Sequence, residues 1–131
     1  MKVLDILVRH NMTLDRLAAA VDFYCGLLAA PVELDLDLLD GRLRVVQVGK
    51  MVLVGYHPQI ASAISMAGAV YLVRDIESFR TALSAQGCET LEALTDVVTG
   101  KVMVMKHPDG LVVEYVEHLD AVRTAGSGEH R

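Results

Sequence analysis

The most constraining feature of this chain is that it is written twice. VLDILVRH (Val3–His10) and GAVYLVRD (Gly68–Asp75) carry Leu-Val-Arg at the same offset, and each is a β-rich run leading into a helical pattern. Leu14, Leu17, Val21, Tyr24 and Leu28 recur at helical spacing, which predicts a first helix over Leu14–Leu28. Ile76, Phe79 and Leu83 predict a second over Ile76–Gln86, with Gly87 as its C-terminal stop. Three β-type runs follow each helix. They are Val32–Asp37, Arg42–Val48 and Met51–Tyr56 in the first half, and Thr90–Leu94, Lys101–Lys106 and Leu111–His118 in the second. Gly49-Lys50 reads as a two-residue hairpin turn, and His107-Pro108-Asp109-Gly110 as the corresponding turn of the second half. Each half is therefore β-α-β-β-β, with residues 58–67 as the connection.

At 131 residues the chain is long enough for one domain with a full core. Hydrophobic residues make up 53% and mean hydropathy is +0.38, so either the core is unusually complete or apolar surface is reserved for a ligand or partner. No apolar run reaches membrane-spanning length. Asp5 and Arg9 interrupt the N-terminal apolar stretch, which speaks against a signal peptide and makes a cytoplasmic location the expectation. A net charge of −5 without a Lys/Arg cluster argues against nucleic acid as a partner. Cys25 and Cys88 lack metal-ligand spacing and read as buried thiols. VELDLDLLD alternates like a strand with a solvated acidic face, and RTAGSGEHR reads as a flexible tail.

Together, the paired βαβββ halves, AAAVDFYCGLL in the first helix and HPDGLVVEYVEH at the end resemble the vicinal oxygen chelate superfamily, the glyoxalase/bleomycin-resistance fold, over about residues 3–118. The resemblance implies an α+β fold in which two βαβββ modules form a curved mixed β-sheet cup with helices outside. It implies one domain over 1–118, divided into a module over about 1–57, a linker over 58–67 and a module over 68–118, with 119–131 as a tail. It also implies a homodimer. In metal-dependent members the ligands come from the first and last strands of each module, and Glu114 matches the last of them. The internal repeat places the others at Val54, near Gly68, and at Val3 or Ile6, none of which can ligate a divalent ion. His10, His57, His107 and His118 offer no ligand spacing between them. Neither a metal nor another cofactor is expected.

Side chains alternate along a strand, so an inward Glu114 brings Val112 and Val116 inward as well. Pairing Met103 with Glu114 and Met105 with Val112 across the HPDG turn would add both methionines. The same reasoning in the first half adds Leu43, Val45, Gln47, Val52, Val54 and Tyr56, and the repeat adds Asp5, Leu7, Val70 and Leu72. Leu53, Leu111, Val113 and Tyr115 would lie beneath the helices. The candidate ligand-binding set is thus Asp5, Leu7, Leu43, Val45, Gln47, Val54, Tyr56, Met103, Met105, Val112 and Glu114. Taken singly these valines and methionines read as core. Taken as a set they describe a mostly apolar pocket with a few directional polar groups, the usual form of a small-molecule site.

There is no Gly-x-Ser-x-Gly, P-loop or dinucleotide motif, and Ser62, Ser65 and Ser84 lack an evident base. The leading expectation is a metal-independent protein that sequesters a hydrophobic or aromatic natural product, as antibiotic-resistance members do. Its rival is a metal-free isomerase or cyclase using Glu114 as general acid or base, because burial among apolar side chains raises a carboxyl pKa. A metal-dependent glyoxalase- or dioxygenase-type enzyme ranks third, and a purely structural domain last.

Overall fold

The computed structural model describes residues 1–119, so all but the first residue of the tail expected over 119–131 lies outside the described residues. The chain divides into two compact units, Leu7–Ala69 and Met1–Ile6 together with the chain from Val70. The strands are β1 (Lys2–Thr13), β2 (Val32–Leu38), β3 (Leu43–Val48), β4 (Met51–Tyr56), β5 (Ala69–Arg74), β6 (Glu89–Val97), β7 (Gly100–Lys106) and β8 (Val112–His118). The helices are α1 (Leu17–Leu28) and α2 (Ile76–Ala85). The α+β class and the doubled βαβββ order are those implied by the sequence.

In the Leu7–Ala69 unit the strand order is β2-β3-β4-β1, antiparallel from β2 to β4 and parallel between β4 and β1. Leu14–Arg16 form a 3₁₀ turn that runs into α1, so the first turn of the expected helix is wound more tightly than an α-helix. Leu17, Met12, Val46, Val48 and Leu53 make the core beneath α1, with Val21, Tyr24 and Cys25 packed against it. Gly55 lets the helix start sit close: a Cβ there would meet Leu17 and Leu14 at 3.0–3.2 Å. Gly49 has φ +57 and Lys50 does not have positive φ, which fits the expected two-residue turn with Gly first. The connection is less irregular than expected, because Pro58–Ala63 form a 3₁₀ helix whose N-cap His57 accepts from Gln59 N through Nδ1 at 3.1 Å.

The other unit has the order β5-β8-β7-β6, the same arrangement with β5 in the place of β1. β6 runs over Glu89–Val97, longer at both ends than the expected Thr90–Leu94, and carries two register shifts against β7. Beneath α2 the core is partly aromatic. Tyr115 is ringed by Tyr71 at 5.3 Å and Phe79 at 5.8 Å between ring centroids. Glu117 closes the start of α2, accepting from Asp75 N at 3.1 Å and Ile76 N at 3.0 Å, so the first donors of that helix are satisfied from β8.

Candidate functional site

Strand register decides which side chains share a face, and the first unit follows the sequence expectation. Leu43 pairs with Tyr56, Val45 with Val54 and Gln47 with Val52. Val46, Val48 and Leu53 point to α1, so the paired set occupies the opposite, helix-free face. β2 adds Leu34 and Leu36, the partners of Gln47 and Val45, while Asp35 turns to the helix side and binds Arg44 through both carboxylate oxygens at 2.9 and 2.6 Å. Of the acidic face foreseen for this strand, Asp35 is therefore paired with arginine.

β1 completes the face. Arg9 pairs with Val52, Asn11 with Val54 and Thr13 with Tyr56, so Leu7, Arg9, Asn11 and Thr13 lie on the helix-free side. Alternation along the same strand gives Val3 and Asp5 the face of Leu7 and turns Ile6 the other way. Asp5 Oδ1 accepts from the Ile6 backbone N–H at 2.9 Å. The floor of the face is buried, with Leu7, Val52 and Val54 at 2%, 8% and 3% exposure, while Leu43, Val45, Gln47 and Tyr56 are half-buried. Gln47 Nε2 donates to Gly49 O at 3.0 Å, so this amide braces its own hairpin.

A polar network absent from the sequence-based set lies on this face. Arg9 Nε donates to Asn11 Oδ1 at 3.0 Å and Arg9 Nη1 to Ser65 Oγ at 2.9 Å. Asn11 Nδ2 donates to Ala67 O at 3.0 Å, and Arg9 N to Gly68 O at 3.1 Å. The signal was present: the alternation that selects Asp5 and Leu7 continues through Arg9 and Asn11. Arg9 lies within the run expected over Val3–His10 and only Asn11 falls beyond it, since β1 continues to Thr13.

In the second unit the expectation fails for the two methionines. The register is Met103 with Tyr115, Val104 with Glu114, Met105 with Val113 and Lys106 with Val112. The cause is the turn. His107 N donates to Leu111 O at 2.8 Å and Gly110 N to His107 O at 2.9 Å, leaving three loop residues with Gly110 at φ +98, rather than four. A one-residue slip sends every side chain to the other face. Met103 and Met105, at 1% and 0% exposure, are therefore core beneath α2 with Val113 and Tyr115, and neither lies beside Glu114. Glu114 and Val112 are half-buried on the helix-free face with Val104 and Val116.

On the helix side, His107 Nε2 and Tyr115 Oη lie 2.7 Å apart, so this histidine anchors the turn to the core. Burial, with smaller contributions from Tyr71 and Cys88, pushes the Tyr115 hydroxyl up to about 12. Cys25 and Cys88 are free and only half-buried, more accessible than the buried thiols expected.

The residues at the ligand positions implied by the superfamily resemblance do not fit a divalent ion. Val54 and Gly68 have no donor, and among the described residues no three His, Cys, Asp or Glu side chains come together to hold a metal ion.

The order of strands and the repeated module define a class, the vicinal oxygen chelate fold, and solved structures bear this out. Methylmalonyl-CoA epimerase from Mycobacterium tuberculosis matches with a TM-score of 0.68 over 93% of both chains at 17% identity. A glyoxalase/bleomycin resistance protein/dioxygenase superfamily member from Vibrio splendidus 12B01 matches with a TM-score of 0.56 and 15% identity, over 86% of this chain and 97% of that one. The chain has the fold of the vicinal oxygen chelate superfamily. Within it, a hypothetical protein from Methanosarcina mazei is 31% identical over 91% of this chain and 95% of its own, with a TM-score of 0.78, and the chain belongs to one family with that protein. No protein-family model and no curated protein matches the chain.

Proposed function

We propose that this protein binds a hydrophobic, aromatic small molecule and sequesters it without a metal, in the manner of resistance proteins of this fold. The observation that carries the reading is the helix-free face of the Leu7–Ala69 unit. There Leu43, Val45, Val54, Tyr56 and Leu7 share one side of the sheet with a small number of fixed polar groups. Burial of a ligand's apolar area would supply most of the affinity, at roughly 25 cal/mol per Å² before association costs. Gln47 is the further residue of that unit assigned to ligand contact. The protein acts in the cytoplasm and as a homodimer, and the dimer is supported by Ile6 and Val8 of β1 and Phe23 and Leu27 of α1, which are exposed at 54%, 51%, 60% and 64%. Among the described residues no helix is long and apolar enough to cross a membrane.

The test is titration of tyrosine fluorescence with polycyclic aromatic natural products, followed by chromatographic recovery of the ligand. Saturable quenching with unchanged ligand is expected, and Tyr56→Ala should weaken it. A converted ligand would favour the epimerase-like alternative that the Mycobacterium tuberculosis relative brings to mind, with Glu114 moving the proton. One divalent ion per chain in elemental analysis of the purified protein would overturn the metal-free reading.

A further inference from the structure

Asp-Gly occurs twice in the chain, as Asp40-Gly41 between β2 and β3 and as Asp109-Gly110 between β7 and β8. Glycine puts no side chain in front of its own amide nitrogen, so that nitrogen can reach the carboxyl carbon of the residue before it. The two turns treat this nitrogen in opposite ways. Gly110 N donates to His107 O at 2.9 Å, and Asp109 Oδ1 accepts from Leu111 N at 3.2 Å. His107 is fastened in turn, through its backbone N–H to Leu111 O at 2.8 Å and through Nε2 to Tyr115 Oη at 2.7 Å. In the β2–β3 turn neither reacting group is held. Among the described residues the Gly41 N–H has no acceptor and the Asp40 carboxylate no hydrogen-bonding or ionic partner, and both residues are exposed. What fixes this loop lies to either side, where Arg42 donates to Leu39 O from N at 3.2 Å and from Nε at 3.0 Å. The backbone between them is strained. Leu39 and Asp40 both have φ +55, in the left-handed region that residues other than glycine adopt at a cost.

We propose that Asp40-Gly41 is a site of spontaneous backbone modification to isoaspartate, from which Asp109-Gly110 is shielded. The Gly41 nitrogen gives up its proton and bonds to Asp40 Cγ, while the protonated carboxyl releases its hydroxyl, so that water leaves and a succinimide ring closes. Water then adds at either ring carbonyl. Breaking the bond from nitrogen to Cγ restores Asp40. Breaking the bond from nitrogen to the Asp40 backbone carbonyl carbon instead routes the chain through Cβ and Cγ and leaves the former backbone carbonyl as a free carboxylate. One water leaves and one returns, and nothing is oxidised or reduced. The product has one more backbone atom between Leu39 and Arg42, which releases Asp40 from its left-handed φ and loosens the two bonds to Leu39 O. The test is ageing of the folded full chain at neutral pH. Isoaspartyl carboxylates are then labelled with a protein-isoaspartate methyltransferase and S-adenosylmethionine, and located by peptide mapping. Label in the Asp40 peptide should rise at least about tenfold faster than in the Asp109 peptide, because two hydrogen bonds must open before Asp109 reacts. In the urea-unfolded chain the two rates should converge. Asp40→Glu should abolish the first label, since the larger ring it would need closes far more slowly. Equal labelling of the two peptides in the folded protein, faster labelling at Asp109, absence of label at Asp40, or a preference that persists in urea would each overturn the proposal.

Discussion

The two repeats share an order of strands but solve their packing differently, and the hairpins show where. In the Leu7–Ala69 unit the β2–β3 connection holds Gly41 at φ +82 in open surroundings, where a Cβ would find nothing nearer than Asp37 at 4.0 Å. At the matching β6–β7 connection Gly100 has φ +151, and a Cβ would run into the Glu117 carbonyl oxygen. The first repeat packs its helix on aliphatic side chains, Leu17, Val46, Val48 and Leu53. The second packs its own on Tyr71, Phe79 and Tyr115, with a histidine bonded to the central hydroxyl. A duplicated topology therefore constrains the backbone route much more tightly than the chemistry of either core.

The glycine pair provides the largest way to break this comparison. Gly100→Ala should destabilise by more than about 3 kcal/mol, because backbone must move to admit the methyl, whereas Gly41→Ala should cost only about 1 kcal/mol for its positive φ. Urea unfolding of both variants measures the gap, and equal costs would remove the distinction drawn between the two hairpins.

Next comes Tyr115. Its folded value of about 12 exceeds the ordinary 10, so the unfolded chain loses the proton first as pH rises. The stability contribution is complete below about pH 10 and is lost between about 10 and 12, amounting to about 2 kcal/mol. Absorbance titration should find a late-ionising tyrosine. Tyr115→Phe should remove that late step and flatten the alkaline loss of stability.

Glu117→Gln should cost about 1 kcal/mol, because the charged acceptor at the start of α2 is weakened while its geometry is kept. Its effect on urea midpoints should be confined to unfolding and leave ligand affinity alone. The smallest effect belongs to the first repeat's Asp35–Arg44 pair, exposed at 40% and 45% on its two sides. Arg44 bonding holds the Asp35 carboxyl below its usual range, yet Asp35→Asn should change stability by less than about 1 kcal/mol, since solvent screens such a pair.

Much of the fold was legible because periodicity is local. The βαβββ order, both helices and the β3–β4 register follow from side-chain spacing and one Gly-Lys turn, and the faces of Val45, Gln47, Val54 and Tyr56 follow from that register. The β7–β8 register was not legible, although HPDG is a recognisable turn. Whether its loop holds three residues or four is decided by which backbone groups close it, and that single difference moved Met103 and Met105 from the proposed site into the core. Asn11 was passed over because the end of a strand depends on its neighbour: β4 keeps pairing as far as Tyr56, and so carries β1 on to Thr13.

The sequence by itself determined the repeated module, the superfamily resemblance and the lack of ligating side chains at Val54 and Gly68, since these rest on residue identity and spacing alone. Only tertiary structure decided which polar groups accompany the apolar face. Hydrogen bonds between β1 and residues 65–68 join positions more than fifty residues apart, and no periodicity along the chain encodes them.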